Sequence, residues 1–177
     1  IAMVIGVIEF MPAAVLAAAL PGKLGLLDRT IRKHGFMAML FTNIGICLGC
    51  TAIAAALVVL VAPMSAGSGI PPLIAYLSSG YMGDRSLLSP MTVAVKMIGI
   101  VLVITGGLVV GREGPAIHIG AGIADISHRF CNWATTKYTG KVIPFDGYMK
   151  HNIVMMGAAA GFSSAFRAPI GGMMYCT

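Results

Sequence analysis

Apolar residues fall along this chain in long blocks. Residues 1–20, 36–61 and 91–110 each approach the roughly 20 apolar residues that cross a bilayer as a helix. Glu9 and Pro12 interrupt the first block, and Pro63 closes the second. Pro21 and Gly22, followed by charged residues up to His34, predict a connector over 21–34. Residues 70–77 are apolar but too short to cross. Residues 78–89 are polar and include Gly80, Gly83, Asp84 and Arg85. The next segment, 114–130, is apolar on one face, with His118, Asp125 and His128 on the other. The longest polar connector is 135–150, and the segments 152–166 and 170–177 complete the pattern. It predicts an all-α, polytopic, multi-pass membrane protein with residues 1–177 in one transmembrane domain.

Composition agrees. Of the 177 residues 58% are hydrophobic and 10% charged, against about a quarter charged in soluble domains. Residues 34–83 contain no Lys, Arg, Asp or Glu. A disordered chain and a water-soluble globule are both disfavoured. The net charge of +6 raises nucleic-acid binding as an alternative. Most basic residues, however, sit in two connectors: Lys23, Arg29, Arg32 and Lys33 in one, Arg129, Lys137, Lys141 and Lys150 in the other. Basic connectors are ordinary in membrane proteins, and no basic face alternates with stacking aromatics, so nucleic acid is not an expected partner. Lys96, early in an apolar block, reads as a structural residue snorkelling to the interface. Trp133 and Tyr138 suit an interfacial belt. Both ends fall within apolar blocks, so the chain reads as a fragment truncated at each end, and no signal peptide is visible.

Two Gly/Pro breaks carry the chemistry. The first reads Gly67-Ser68-Gly69-Ile70-Pro71 and the second Gly111-Arg112-Glu113-Gly114-Pro115. Each places a proline in a first helical turn, where its missing N–H costs nothing. A helix starting within the membrane leaves its first N–H groups unpaired. That arrangement is tolerated where the groups face a cavity or ligand, and interrupted segments point to a transport site. Bare N–H groups and a positive helix end attract anions. One helix end contributes about 0.3–1 kcal/mol, up to ~2 when partly buried. Desolvating an isolated ion costs tens of kcal/mol. Several N–H and O–H donors must therefore converge before an anion binds.

Glu113 is the sharpest residue. A carboxyl at membrane depth costs about 2.5–3.5 kcal/mol on insertion scales. Ionised, it can occupy the place of an anion; protonated, it loses that attraction and can swing away. The bland alternative is an interfacial glutamate capping a helix. Cys47 and Cys50 form a C-x-x-C inside an uncharged run with no second pair nearby, and read as two small helix residues. His118, Asp125 and His128 share one helix face, but no Cys or Glu completes a metal set. They read as a polar stripe facing the interface. Gly157 and Gly161 make a small-xxx-small pattern that permits close helix packing.

The two break motifs resemble, in order, the GSGIP and G(K/R)EGP motifs of the CLC family of voltage-gated chloride channels and chloride/proton antiporters. A third matching stretch is Gly157-Ala158-Ala159-Ala160-Gly161, running on to Phe166-Arg167-Ala168-Pro169-Ile170-Gly171-Gly172. The resemblance covers nearly the whole chain, as the N-terminal half of a CLC membrane domain. It implies tilted and interrupted helices belonging to an inverted-repeat fold. It also implies a homodimer with one pathway per subunit in an integral membrane, plasma or organellar. By this resemblance Ser68 coordinates the anion, and serine rather than proline there favours chloride over nitrate. Glu113 is the gating glutamate and proton acceptor. Gly67, Gly69, Ile70, Pro71, Gly111, Arg112, Gly114 and Pro115 frame the pathway. The Arg-Ala-Pro after Phe166 is closer to eukaryotic members than to bacterial ones.

This sequence departs from the family where Pro72-Leu73-Ile74 replaces the usual glutamate after GSGIP. The GxFxP motif and the late anion-contacting tyrosine are absent, and the proton-relay glutamate of antiporters would fall just past Thr177. On the positive-inside bias the basic run 23–33 reads as cytoplasmic, whereas the family places that connector outside; motif order takes precedence. The resulting expectation is chloride transport, as a chloride/proton antiporter or alternatively a passive channel, with lipid and chloride as partners and no cofactor. A non-transporting fragment or a membrane-embedded enzyme using Glu113 with His118 or His128 are the readings from other classes.

Overall fold

The computed structural model describes residues 2–78, 86–111, 113–139 and 147–174. Those residues form α1 (Ala2–Val61), α2 (Ile70–Ser78), α3 (Pro90–Gly106), α4 (Glu113–Thr139), α5 (Gly147–Phe166) and α6 (Pro169–Met174). A 3-10 turn, Pro63–Ser65, precedes α2, and no strand occurs among the described residues. The polar residues Gly80, Gly83, Asp84 and Arg85, together with Lys141 and Cys176, lie outside the described residues. The chain divides into two units, Ile1–Val61 with Met97–Gly111, and Ala62–Lys96 with Arg112–Thr177.

In the first unit the expected connector over 21–34 is helical. α1 runs through it, and its non-helical point is Gly35 (φ 85, ψ 179). Residues 23–32 are rich in leucine, lysine and arginine, all good helix formers, and Asp28 pairs with Arg32 one turn on at 3.1 Å. Pro12 and Pro21 are carried within the helix, each removing one backbone donor. The break comes where a left-handed φ suits glycine. Beyond it, Gly35–Val61 is long and apolar enough to cross a membrane. Phe36, Phe41, Leu48, Val59 and Leu60 are all exposed on it, as expected of a helix apolar on every side.

The third apolar block also ends early. α3 stops at Gly106, and Gly107 turns the chain with φ +90. Lys23 is not a loop cation. Its Nζ donates to the carbonyls of Thr105 (2.9 Å) and Gly106 (3.4 Å), which caps the negative end of α3. A Cβ at Gly106 would stand 3.4 Å from Cys50 Cβ and 3.6 Å from the Cys47 carbonyl. The C-x-x-C face is thus a close-packing surface.

The second unit is built on α4 against α5. Their contact is nearly backbone on backbone. A Cβ at Gly157 would lie 2.6 Å from the Gly120 carbonyl oxygen, and one at Gly161 would lie 2.5 Å from that of Ala116. The small-residue pattern read on α5 is therefore matched on α4 by Ala116, Gly120 and Ala124. Around this seam Leu73, Leu88, Ile117, Ala121, Val154 and Ala158 form the core. α6 joins at Gly172, whose Cβ would meet the Ala159 carbonyl at 2.7 Å.

The polar stripe on α4 does not face an interface. His118 and Asp125 are fully buried. Asp125 pairs with Arg129 Nη2 (2.6 Å) and, across to α5, with Lys150 Nζ (3.2 Å), so two cations offset the cost of burying its charge. α4 is also longer than the apolar segment, reaching 27 residues, and α5 starts at Gly147 rather than at 152. Hydrogen bonding continues through polar sequence where no proline or glycine interrupts it. Trp133 and Tyr138 are exposed near the end of α4, with Lys137 Nζ 5.1 Å from the Trp133 ring centre.

Because the seam has no room for a methyl group, Gly161→Ala is expected to destabilise the protein by about 1–3 kcal/mol. The check is a lower melting temperature in detergent; an unchanged one would contradict backbone-close packing.

Candidate functional site

Both Gly/Pro breaks are helix starts. α2 begins at Ile70 after Gly67 (φ +68) and Gly69 (φ +80), two left-handed positions that suit glycine. α4 begins at Glu113. The two starts meet: a Cβ at Gly114 would stand 2.7 Å from Ser68 Cβ and 3.4 Å from the Ser68 carbonyl oxygen. Gly114 thus lets the first turn of α4 lie directly on the α2 cap.

The donors at this junction differ from the even spread of bare amides that the sequence suggests. In α2 the Ile70 N–H donates to Ser68 Oγ (3.3 Å), the capping role of a serine at a helix start. Pro71 and Pro72 have no N–H, and the Leu73 N–H donates to the Gly69 carbonyl (3.2 Å). α2 accordingly offers the Ser68 hydroxyl proton and the Gly69 amide rather than a full turn of free N–H groups. In α4 the first turn leaves the amides of Glu113 and Gly114 without intrahelical acceptors, while Pro115 occupies a position that needs none. The convergent set combines one hydroxyl with backbone amides from two helices.

Ser68, Gly67 and Pro71 are exposed, whereas Gly69 and Gly114 are buried. Ile70, Pro115 and Glu113 are partly buried. Gly111 lies in the exposed segment ahead of α4. Arg112 lies outside the described residues.

Behind Gly69 stand two groups that the sequence pattern left out of the site. Lys96 does not snorkel; it is 5% exposed, and its Nζ lies 2.9 Å from His118 Nδ1. His118 Nε2 lies 2.9 Å from the Leu87 carbonyl. A Cβ at Gly69 would run into His118 Nδ1 and come within 2.7 Å of Lys96 Nζ. The signal available in the sequence was a lysine flanked by Val95 and Met97, since an ionisable residue inside an apolar span is a functional candidate by default.

A family model described as voltage gated chloride channel matches residues 50–177. The chain belongs to the voltage gated chloride channel family. Among its relatives, chloride channel protein CLC-c of Arabidopsis thaliana is 36% identical over 157 residues, covering 86% of this chain and 20% of the relative. CLC-b of the same plant is 31% identical over 160 residues, covering 86% and 20%. Human H(+)/Cl(-) exchange transporter 7 is 32% identical over 154 residues, covering 85% and 19%. The chain thus spans about a fifth of the length of the family members it matches. That match takes in both break motifs, the α4–α5 seam and the Lys96–His118 pair.

Gly67 and Gly69 separate backbone strain from crowding. Gly67→Ala, with open space around it, is expected to cost about 1–2 kcal/mol from its left-handed φ alone. Gly69→Ala adds collision with His118 and Lys96, and is expected to cost about 1–3 kcal/mol more. Thermal melts of the two variants check this; equal melting temperatures would contradict the packing at Gly69.

Proposed function

We propose that the segment forms part of a chloride pathway in a membrane-embedded chloride/proton antiporter, in which the junction of α2 and α4 cradles the anion. The observation that carries the reading is the seating of Gly114 against Ser68, which puts a serine hydroxyl and two helix starts of positive polarity in one place. Ser68 Oγ accepts the Ile70 N–H with a lone pair, so its proton remains free to donate to a halide. Hydrogen bonds to a charged partner are about twice as strong as neutral ones, which favours such a cluster for an anion over water.

Glu113 stands at the first position of α4. Its ionised carboxylate competes with chloride for the same donors, and protonation ends that competition. One side chain then links anion occupancy to proton uptake. A relative named as an H(+)/Cl(-) exchange transporter supports the antiport reading, and relatives named as chloride channels make a passive channel the second reading. The working unit is a homodimer in lipid. An enzyme built on Glu113 with His118 is disfavoured, because both nitrogens of His118 are already engaged, by Lys96 and by Leu87.

In the full-length protein reconstituted into liposomes, Glu113→Ala is expected to abolish the pH dependence of chloride flux and proton movement coupled to it. Retained pH dependence would remove Glu113 from gating. Ser68→Pro is expected to shift preference from chloride toward nitrate, by about tenfold for one anion-directed hydrogen bond of about 1.5 kcal/mol. Competition flux measurements check this, and unchanged selectivity would take Ser68 out of the cradle.

A further inference from the structure

Among the described residues, the buried ammonium of Lys96 meets no carboxylate. The residue is 5% exposed. Its hydrogen-bond acceptor there is a neutral one, His118 Nδ1 at 2.9 Å. An ammonium can only donate, so Nδ1 accepts; the ring proton is then on Nε2, which donates to the Leu87 carbonyl at 2.9 Å. With Lys96 charged, the imidazole in this arrangement is neutral and carries its proton on Nε2.

Elsewhere in the same unit the chain treats buried charge differently. Asp125, equally sequestered, is met by both Arg129 and Lys150. A buried ion left without an opposite charge is strongly disfavoured. Lys96 also lies against the inner side of Gly69, where a Cβ would come within 2.7 Å of its Nζ. Gly69 follows directly on Ser68, the residue against which Gly114 is seated.

We infer that Lys96 and His118 are positioning residues for the anion cradle, with Lys96 as a fixed internal charge whose counter-ion is the bound halide and His118 as the acceptor that aims it. This rests on the anion-pathway reading given above. Neither group touches the anion in this scheme. Lys96 acts through space from behind Gly69, where low polarisability lets a unit charge reach further than in water. His118 acts only through Lys96. The pair therefore governs how tightly the anion is held, while Ser68 and the amides govern which anion is held.

The test is chloride flux by the full-length protein in liposomes, measured against chloride concentration. Lys96→Gln keeps a donor toward His118 but removes the charge, and is expected to raise half-saturating chloride about tenfold. Lys96→Arg keeps the charge and is expected to stay within about threefold of wild type. His118→Phe keeps the ring volume without the acceptor and is expected to weaken chloride binding as Lys96→Gln does. His118→Asn, whose Oδ1 can stand in for Nδ1, restores it. The double variant His118→Phe/Lys96→Gln is expected to be no weaker than Lys96→Gln alone, because one residue works through the other.

Unchanged half-saturation in Lys96→Gln, or additive losses in the double variant, would overturn the proposal while leaving the anion pathway standing. If His118→Phe does not fold, the contrast between Gln and Arg at position 96 decides, since a purely structural lysine would not separate those two by affinity. Absence of halide flux in the wild-type protein would overturn the pathway itself and the pair's role with it.

Discussion

Ser68 occupies the space that a side chain at position 114 would need. Their contact, in which a Cβ at Gly114 would be 2.7 Å from Ser68 Cβ, joins two chain segments more than forty residues apart. It requires three things at once: a glycine at 114, a chain reversal before α2 supplied by the left-handed Gly67 and Gly69, and helices that begin rather than pass through at Ile70 and Glu113. Were either helix continuous, its amides would be spent on its own ladder. The junction would then have nothing to offer a ligand.

The rest of the second unit fixes that junction in place. α4 is pressed on α5 through Ala116, Gly120, Gly157 and Gly161, so its first turn cannot rise without opening a backbone-close seam. Leu73 and Ile117, one from each helix that starts at the junction, meet in the same core as Val154 and Ala158. The Asp125–Lys150 pair ties α4 to α5 two turns further along. Such a frame holds the donors in a fixed orientation, and preorganised donors avoid the cost of ordering them when a ligand binds.

The fold class and the helix starts were legible because proline and glycine act locally. Pro71 and Pro115 belong in first turns on steric grounds alone, and the glycines beside them mark where the chain reverses. The same local reasoning failed at Pro21 and Gly22, because strong helix formers on both sides outweigh one missing donor, and the break moved to Gly35. It fails at 135–139 as well, where polarity predicts a connector although nothing there stops the hydrogen bonding of α4. The environments of Lys96 and His118 were hidden for a different reason. Periodicity assigns a residue to a helix face, but not the neighbour that covers that face. His118 looked like part of an outward stripe until Leu87, Lys96 and Gly69 were seen around it. The reduced donor set of α2 was in principle readable, since Pro71 and Pro72 together announce two missing N–H groups.

The central claim is that an anion sits where the two helix starts meet. The most direct measurement is anomalous diffraction from crystals of the full-length protein soaked in bromide. The account predicts a bromide peak within hydrogen-bonding reach of Ser68 Oγ and of the Glu113 and Gly114 amides. A well-ordered junction with no bromide there, and halide density elsewhere along the pathway, would contradict it.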